Sequence, residues 1–162
     1  MDVNCQMHAP AKPPFETTIL VRDTCLCLHT QRAARALARR FDIAFKPVGI
    51  TSGQFSLLMS LNRPTPPNVG SVAALLAMDR TTLTANLKPL ERRGLLEIIV
   101  DPADRRARLL RLTPAGLTIL AEATPIWTRT HAAVERELSG PDNLRAELDV
   151  LSRSDSPRDH SR

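Results

Sequence analysis

Thr81, Thr84, Ala85 and Lys88 are the residues whose types and spacing first suggest chemistry. At helical periodicity they share one face, while Leu83, Leu87 and Leu90 share the opposite one. Short hydroxyls, a methyl group and one cation make a low-relief polar surface of the kind that can enter a DNA major groove. The hydroxyls can bond base edges or phosphates, the methyls can touch thymine methyls, and Lys88 can meet a phosphate. Thr82 and Asn86 fall on the flank, placed for backbone or base edges. Taken alone, the same face reads equally well as a solvated helix surface.

The neighbouring segment changes that balance. Asp101-Pro102-Ala103-Asp104-Arg105-Arg106-Ala107-Arg108 is turn-rich and basic, and it lies between the apolar runs Leu96–Val100 and Leu109–Leu112. Two short apolar strands around such a loop predict a hairpin. An arginine-tipped hairpin beside a helix of this kind is a wing. Guanidinium groups suit phosphates and the electronegative floor of a narrow minor groove. Arg105 and Arg106 are the expected contacts, with Arg105 the groove reader; Arg108 completes the basic set. The bland reading is a solvated turn.

The elements that must position these groups are legible too. Asp79 is a good N-cap for the helix and Gly94 a good stop. Pro89 falls inside that helix and removes a bond to residue 85, so a kink or an earlier end is expected. Upstream, residues 16 to about 46 read as one long amphipathic helix on Leu20, Leu28, Ala34, Leu37, Ala38 and Phe41, ended by Pro47 and Gly49. Thr51 or Ser52 can cap a helix carrying Phe55, Leu58, Met59 and Leu61. A proline-rich break over Arg63–Asn68 follows, then a short extended stretch. Ser71 is expected to cap a small helix over Val72–Ala77 that packs on the recognition helix through Val72, Leu75 and Leu76. Thr113 and Pro114 open a long helix to about residue 138, with Pro125 inside it expected to bend it, and a last helix covers 142–152.

Three pieces in this order, Met78–Gly94, Asp101–Arg106 and Leu112-Thr113-Pro114-Ala115-Gly116, resemble the MarR family of bacterial transcriptional regulators over roughly residues 17 to 153. The resemblance implies a mostly α fold with a small β-hairpin wing. It would have a winged helix-turn-helix lobe at 51–113 and dimerisation helices at 15–50 and 114–153. Residues 1–14 would form an extended arm and 154–162 a flexible tail. It also implies that Asp104 pairs with another basic residue, Arg106 or Arg108, to brace the wing. A small-molecule site for an aromatic or phenolic effector is implied between the lobes, and His29, Arg32, Phe55 and Met59 are its expected borders. Phe55 and Met59 read as well as plain core.

The terminal helices have apolar stripes that their own chain is too short to cover. A homodimer is therefore expected, with paired recognition helices on a pseudopalindromic duplex. The reading that follows is a sequence-specific repressor released by an effector.

Composition sets the outer bounds. The 162 residues carry a net charge of +5 and suit one tightly joined unit. They are 43% apolar but only 3% aromatic, so the core must be aliphatic. Lys12, Lys46 and Lys88 are the only lysines among 22 cations, and a basic, arginine-rich balance favours a polyanionic partner. No apolar run approaches the roughly 20 residues of a membrane span, and the amino terminus is unlike a secretory signal, so a cytoplasmic protein is expected. Cys5, Cys25 and Cys27 are too few for a disulfide framework. Cys25 and His29 would share a helical face, which keeps a thiol- or metal-responsive regulator open as an alternative, although small apolar cysteines buried at a dimer interface are the simpler reading. Cys5 and His8 are a further pair in the arm. No nucleophile elbow, phosphate-cradling glycine loop or zinc-binding helix is present, so no enzyme, cofactor or metal is expected. A winged-helix protein-interaction module without DNA binding is the last rival; the basic wing and unobstructed helix face speak against it.

Overall fold

A computed structural model describes residues 12–153. The expectations for Cys5, His8, most of the arm and the tail from 154 lie outside the described residues. The chain divides into two compact units, one up to Leu37 and one from Ala38.

The first unit contains α1 (Phe15–Thr24) and the start of α2 (Leu26–Phe45). One continuous helix was expected here, and the structure breaks it at Cys25, whose backbone is extended at φ −71°, ψ 106°. The cause is local. Thr24 turns its hydroxyl onto the Leu20 carbonyl at 2.7 Å, and Arg22 grips Asp23 with both arms of its guanidinium. Such side chains compete with the helix for its own backbone. Cys25 then opens α2 by accepting from the His29 amide. It therefore does not share a continuous helical face with His29 as the uninterrupted helix would require. Cys27 is exposed and accepts from Gln31 at 3.1 Å, and Cys25 is half-buried.

The second unit carries the wing and most of the core. A single 3₁₀ turn at Lys46–Val48 ends on Gly49 at φ 65°. Thr51 caps α3 (Ser52–Leu61) with a full capping box, Gln54 reaching back to the Thr51 amide. The Asp42 carboxylate accepts from the Ser52 amide at 2.6 Å and ties α2 to the start of α3. The next helix, α4 (Val69–Leu75), starts three residues earlier than expected because Asn68, not Ser71, is its cap. Asn68 accepts from the Ser71 amide, and the Ser71 hydroxyl returns to the Asn68 carbonyl. Val72 is buried as expected and Leu76 half-buried, whereas Leu75 remains 57% exposed. The turn out of α4 places Ala77 at φ 50°, a left-handed conformation that costs a non-glycine residue about 1–2 kcal/mol.

Helix α5 (Arg80–Arg92) is capped by Asp79 and runs through Pro89 without ending there. It closes on a Schellman motif: Gly94, at φ 67°, donates to Glu91, and Leu95 donates to Leu90. Strands β1 (Leu96–Val100) and β2 (Arg108–Leu112) pair antiparallel, Leu96 opposite Leu112 and Val100 opposite Arg108. Asn68 bridges to Leu109, and Leu110 donates to the Pro67 carbonyl, so the stretch before α4 adds an edge to the hairpin.

The Thr-Pro-x-Gly sequence has a specific task. Thr113 donates its hydroxyl to the Gly94 carbonyl at 2.6 Å and caps α6 (Pro114–Glu135) by accepting from Gly116. At Gly116 the Leu95 carbonyl approaches so closely that a β-carbon would collide with it. The end of α5, the start of β1 and the start of α6 are thereby locked together. Pro125 lies inside α6, which stays helical on both sides of it, and α7 (Pro141–Arg153) follows. The core consists of aliphatic side chains with Phe45 and Phe55: Leu57, Leu58, Val72, Leu83, Leu87, Leu90, Leu96 and Leu110 are almost fully buried. Neither α1 nor α7 buries a single residue.

Candidate nucleic-acid interface

The outer face of α5 is built from the cap outward. Asp79 accepts from the Thr82 amide at 2.8 Å and from the Thr82 hydroxyl at 2.6 Å. Those bonds, the hydroxyl's above all, hold the Asp79 carboxyl below its ordinary value of 3.8. Thr82 is thus committed to the helix start rather than left free on the flank. Leu83, Leu87 and Leu90 are 0–1% exposed and anchor the other side of the helix. Thr81, Thr84, Ala85 and Lys88 are exposed, as the periodicity predicts, and together line a shallow recess of about 340 Å³. Thr84 donates its hydroxyl proton to the Arg80 carbonyl at 2.7 Å, so it presents an oxygen acceptor and a methyl group. Asn86 is exposed and makes one long contact, 3.8 Å, to the Met78 sulfur.

Arg80 belongs to the same recess. Sequence reasoning passed it over. Its position was implicit in the cap at Asp79.

The wing is braced differently from the ion pair the resemblance implied. Asp104 accepts from the Arg106 backbone amide at 2.9 Å, and Arg108 donates to the Arg105 and Ala107 carbonyls at 2.9 and 3.1 Å. A two-residue spacing favours such a side-chain-to-backbone turn over a contact between side chains. Asp101 does likewise with Ala103. The tip is thereby held by its own backbone while Arg105 and Arg106 remain exposed, and neither has a carboxylate partner among the described residues.

A separate cavity of about 470 Å³ opens between α3, α4 and α6. Phe55 and Met59 line it with Ser60, Leu76, Thr124 and Trp127. A line of rings runs along it, Phe45 to Phe55 at 4.8 Å, Phe55 to Trp127 at 6.4 Å and Trp127 to His131 at 4.6 Å. Trp127 was missed by sequence reasoning; as the chain's single tryptophan, it was the available signal. His29 and Arg32, expected beside Phe55 and Met59, are exposed residues of the first unit.

An N-capped helix with a bare polar face, entered by a short helix and followed by a basic hairpin, defines a winged helix-turn-helix protein. The MarR family model matches residues 50–107, from α3 to the loop at the tip of the wing. The chain is similar over nearly its whole described length to the transcriptional regulator MosR of M. tuberculosis, solved in complex with DNA. The two share 33% identity across 81% of this chain and 96% of that one, with a TM-score of 0.75. The chain therefore belongs to the MarR family. It is also similar to the transcriptional repressor CouR bound to a 23-mer duplex, at 30% identity over 88% of this chain and 97% of that one, TM-score 0.67. Among curated relatives, the transcriptional activatory protein BadR of Rhodopseudomonas palustris is 37% identical over 88 residues, 52% of this chain. The chain spans about half the length of BadR and less than two thirds of two further curated relatives.

Proposed function

We propose that this protein is a sequence-specific DNA-binding transcriptional regulator acting as a homodimer on a pseudopalindromic site. The observation that carries the reading is the pairing of a bare, hydroxyl-lined α5 face with an arginine-tipped wing whose cations have no carboxylate partner. Thr81, Thr84, Ala85 and Lys88 meet the major groove, with Asn86 at its edge. Thr82 holds the helix start and offers its methyl group. Arg105 enters the minor groove, Arg106 and Arg108 contact phosphates, and Asp104 holds the tip. Residues 51–113 are the DNA-binding lobe, and the helices at 15–50 and 114–153 form the dimerisation lobe. Support for dimerisation comes from α7, whose Leu144, Leu148 and Leu151 are 41–48% exposed, and from α1, with Phe15 and Leu20 at 70% and 60%.

The regulator works as a repressor, since a bound dimer excludes other proteins from the duplex it covers. A small aromatic or phenolic effector in the cavity beside Phe55, Met59 and Trp127 releases it. To do so the effector must bind one spacing of the two DNA-binding lobes better than the other. CouR has been solved with p-coumaroyl-CoA as well as with DNA, which fits a family cavity of this kind. The protein acts in the cytoplasm, without catalytic activity; among the described residues no helix is long and apolar enough to cross a membrane.

Selection from a random duplex pool tests the reading, followed by salt-titrated affinity for the winner with wild type and Arg105→Ala. A two-fold site is expected, with weaker binding and a salt slope shallower by about one unit in the variant. No enrichment, with weak binding in both proteins at low salt, would overturn it.

A further inference from the structure

Arg80, Arg106 and Arg108 come from α5 and the wing, yet they line one recess of about 340 Å³ together with Asn68 and Gly70. None of the three has a carboxylate partner among the described residues. The Arg108 guanidinium is pinned by two backbone carbonyls, so it does not swing away at no cost, and the Asp104 turn fixes the backbone from which Arg106 extends. Arg80 is seated by a glycine: a β-carbon on Gly70 would stand 3.3 Å from its Nη2. Three like charges converging without a counter-charge repel one another, and an anion in their midst reverses the sign of that interaction. Planar guanidinium forks match the oxygens of a phosphate in particular.

The position of the recess selects the anion. It lies between the α5 face and the wing, and Arg80 lines both this recess and the one formed by Thr81, Thr84, Ala85 and Lys88. A protein with a helix in the major groove and a wing in the adjacent minor groove must straddle the strand of sugar-phosphate that separates them. We propose that Arg80, with Arg106 and Arg108, grips one phosphodiester of that ridge. The contact sets the register of α5 along the duplex, and Gly70 leaves room for the Arg80 guanidinium, which a β-carbon there would displace by a few tenths of an ångström. This rests on the DNA-binding reading above and adds to it a residue and a site that the wing and helix face do not by themselves supply.

The test replaces single phosphates of the selected duplex by uncharged methylphosphonates, one position at a time. Full-length wild type, Arg80→Gln and Gly70→Ala are compared, after thermal melts have confirmed that each variant is folded. In wild type, one position per half-site should weaken binding about tenfold, the scale of a lost charge-assisted bond. In Arg80→Gln the effect at the same position should shrink, since only Arg106 and Arg108 still face it, while the others keep their effects; such a change is the signature of coupling between two groups in contact. Gly70→Ala should reduce the effect at that position and no other. If Arg80→Gln keeps the full wild-type pattern, the socket is disproved while DNA binding stands. If wild type binds no duplex at all, the DNA-binding reading fails and the socket with it.

Discussion

Asp79 shows how much a single side chain controls in this fold. Its carboxylate caps the helix that presents Thr81 and Thr84, and its bonds to Thr82 lower its proton affinity in the folded state. The folded value lies below the unfolded one, so the cap's contribution is complete above 3.8 and is lost as pH falls through the folded value. Thermal melts between neutral pH and about pH 3 should show a loss of stability on the acid side. Glu137 under Arg40 and Asp23 under Arg22 add to that loss with the same sign. Asp79→Asn caps without titrating, so its melting temperature should fall less steeply over the same range. An identical slope in both proteins would remove Asp79 from the account. Thr84 poses a second residue-scale question. Because its proton is committed to the Arg80 carbonyl, Thr84→Val keeps the methyl and removes only an acceptor. Its loss of duplex affinity should be smaller than that of Thr81→Val, since Thr81 makes no side-chain hydrogen bond within the described residues. Affinities for the selected site compare the two directly.

Among the elements, the joint of α5, β1 and α6 carries the wing. Gly116 sits under the Leu95 carbonyl and Thr113 holds the Gly94 carbonyl, so the hairpin leaves the recognition helix at a set angle. Gly116→Ala should cost about 1–3 kcal/mol, the usual cost of overpacking, measured by denaturant unfolding. The same variant should lose duplex affinity even where it is folded, because the wing arginines move with β1. Leu87→Ala acts through a different route. Leu87 is 1% exposed, and truncating it should cost about 2–5 kcal/mol. Unfolding in urea would show the loss as a lower midpoint with an unchanged slope.

For the whole molecule, the open question is what covers α1 and α7. Helices that bury nothing in their own chain contribute little stability unless another surface takes their apolar side chains. Sedimentation equilibrium should return twice the 17.9 kDa chain mass, and Leu148→Glu with Leu144→Glu should shift it toward a single chain. A monomer at micromolar concentration would argue against two-fold DNA recognition. The double variant should also flatten the response to duplex length, because one lobe needs only one half-site.

Much of this architecture could be read without coordinates, because the interactions that carry it are short in sequence. Asp79 reaches Thr82 and Thr113 reaches Gly116, each three residues on, and Gly94 stands two residues past the end of α5. Periodicity sorted Leu83, Leu87 and Leu90 from Thr81, Thr84, Ala85 and Lys88 because a capped helix has one geometry. Where equally local alternatives compete, the pattern misled. Thr24 and Asp23 broke an apparently continuous helix at Cys25, Asn68 displaced Ser71 as a cap, and the Asp104 carboxylate chose a backbone amide over a guanidinium. What lay beyond the sequence were the meetings across long separations. Trp127 faces Phe55 across α6 and α3, and Arg80 shares a recess with Arg106 and Arg108. No local rule specifies them, because each depends on how separately formed helices and the hairpin dock around one aliphatic core.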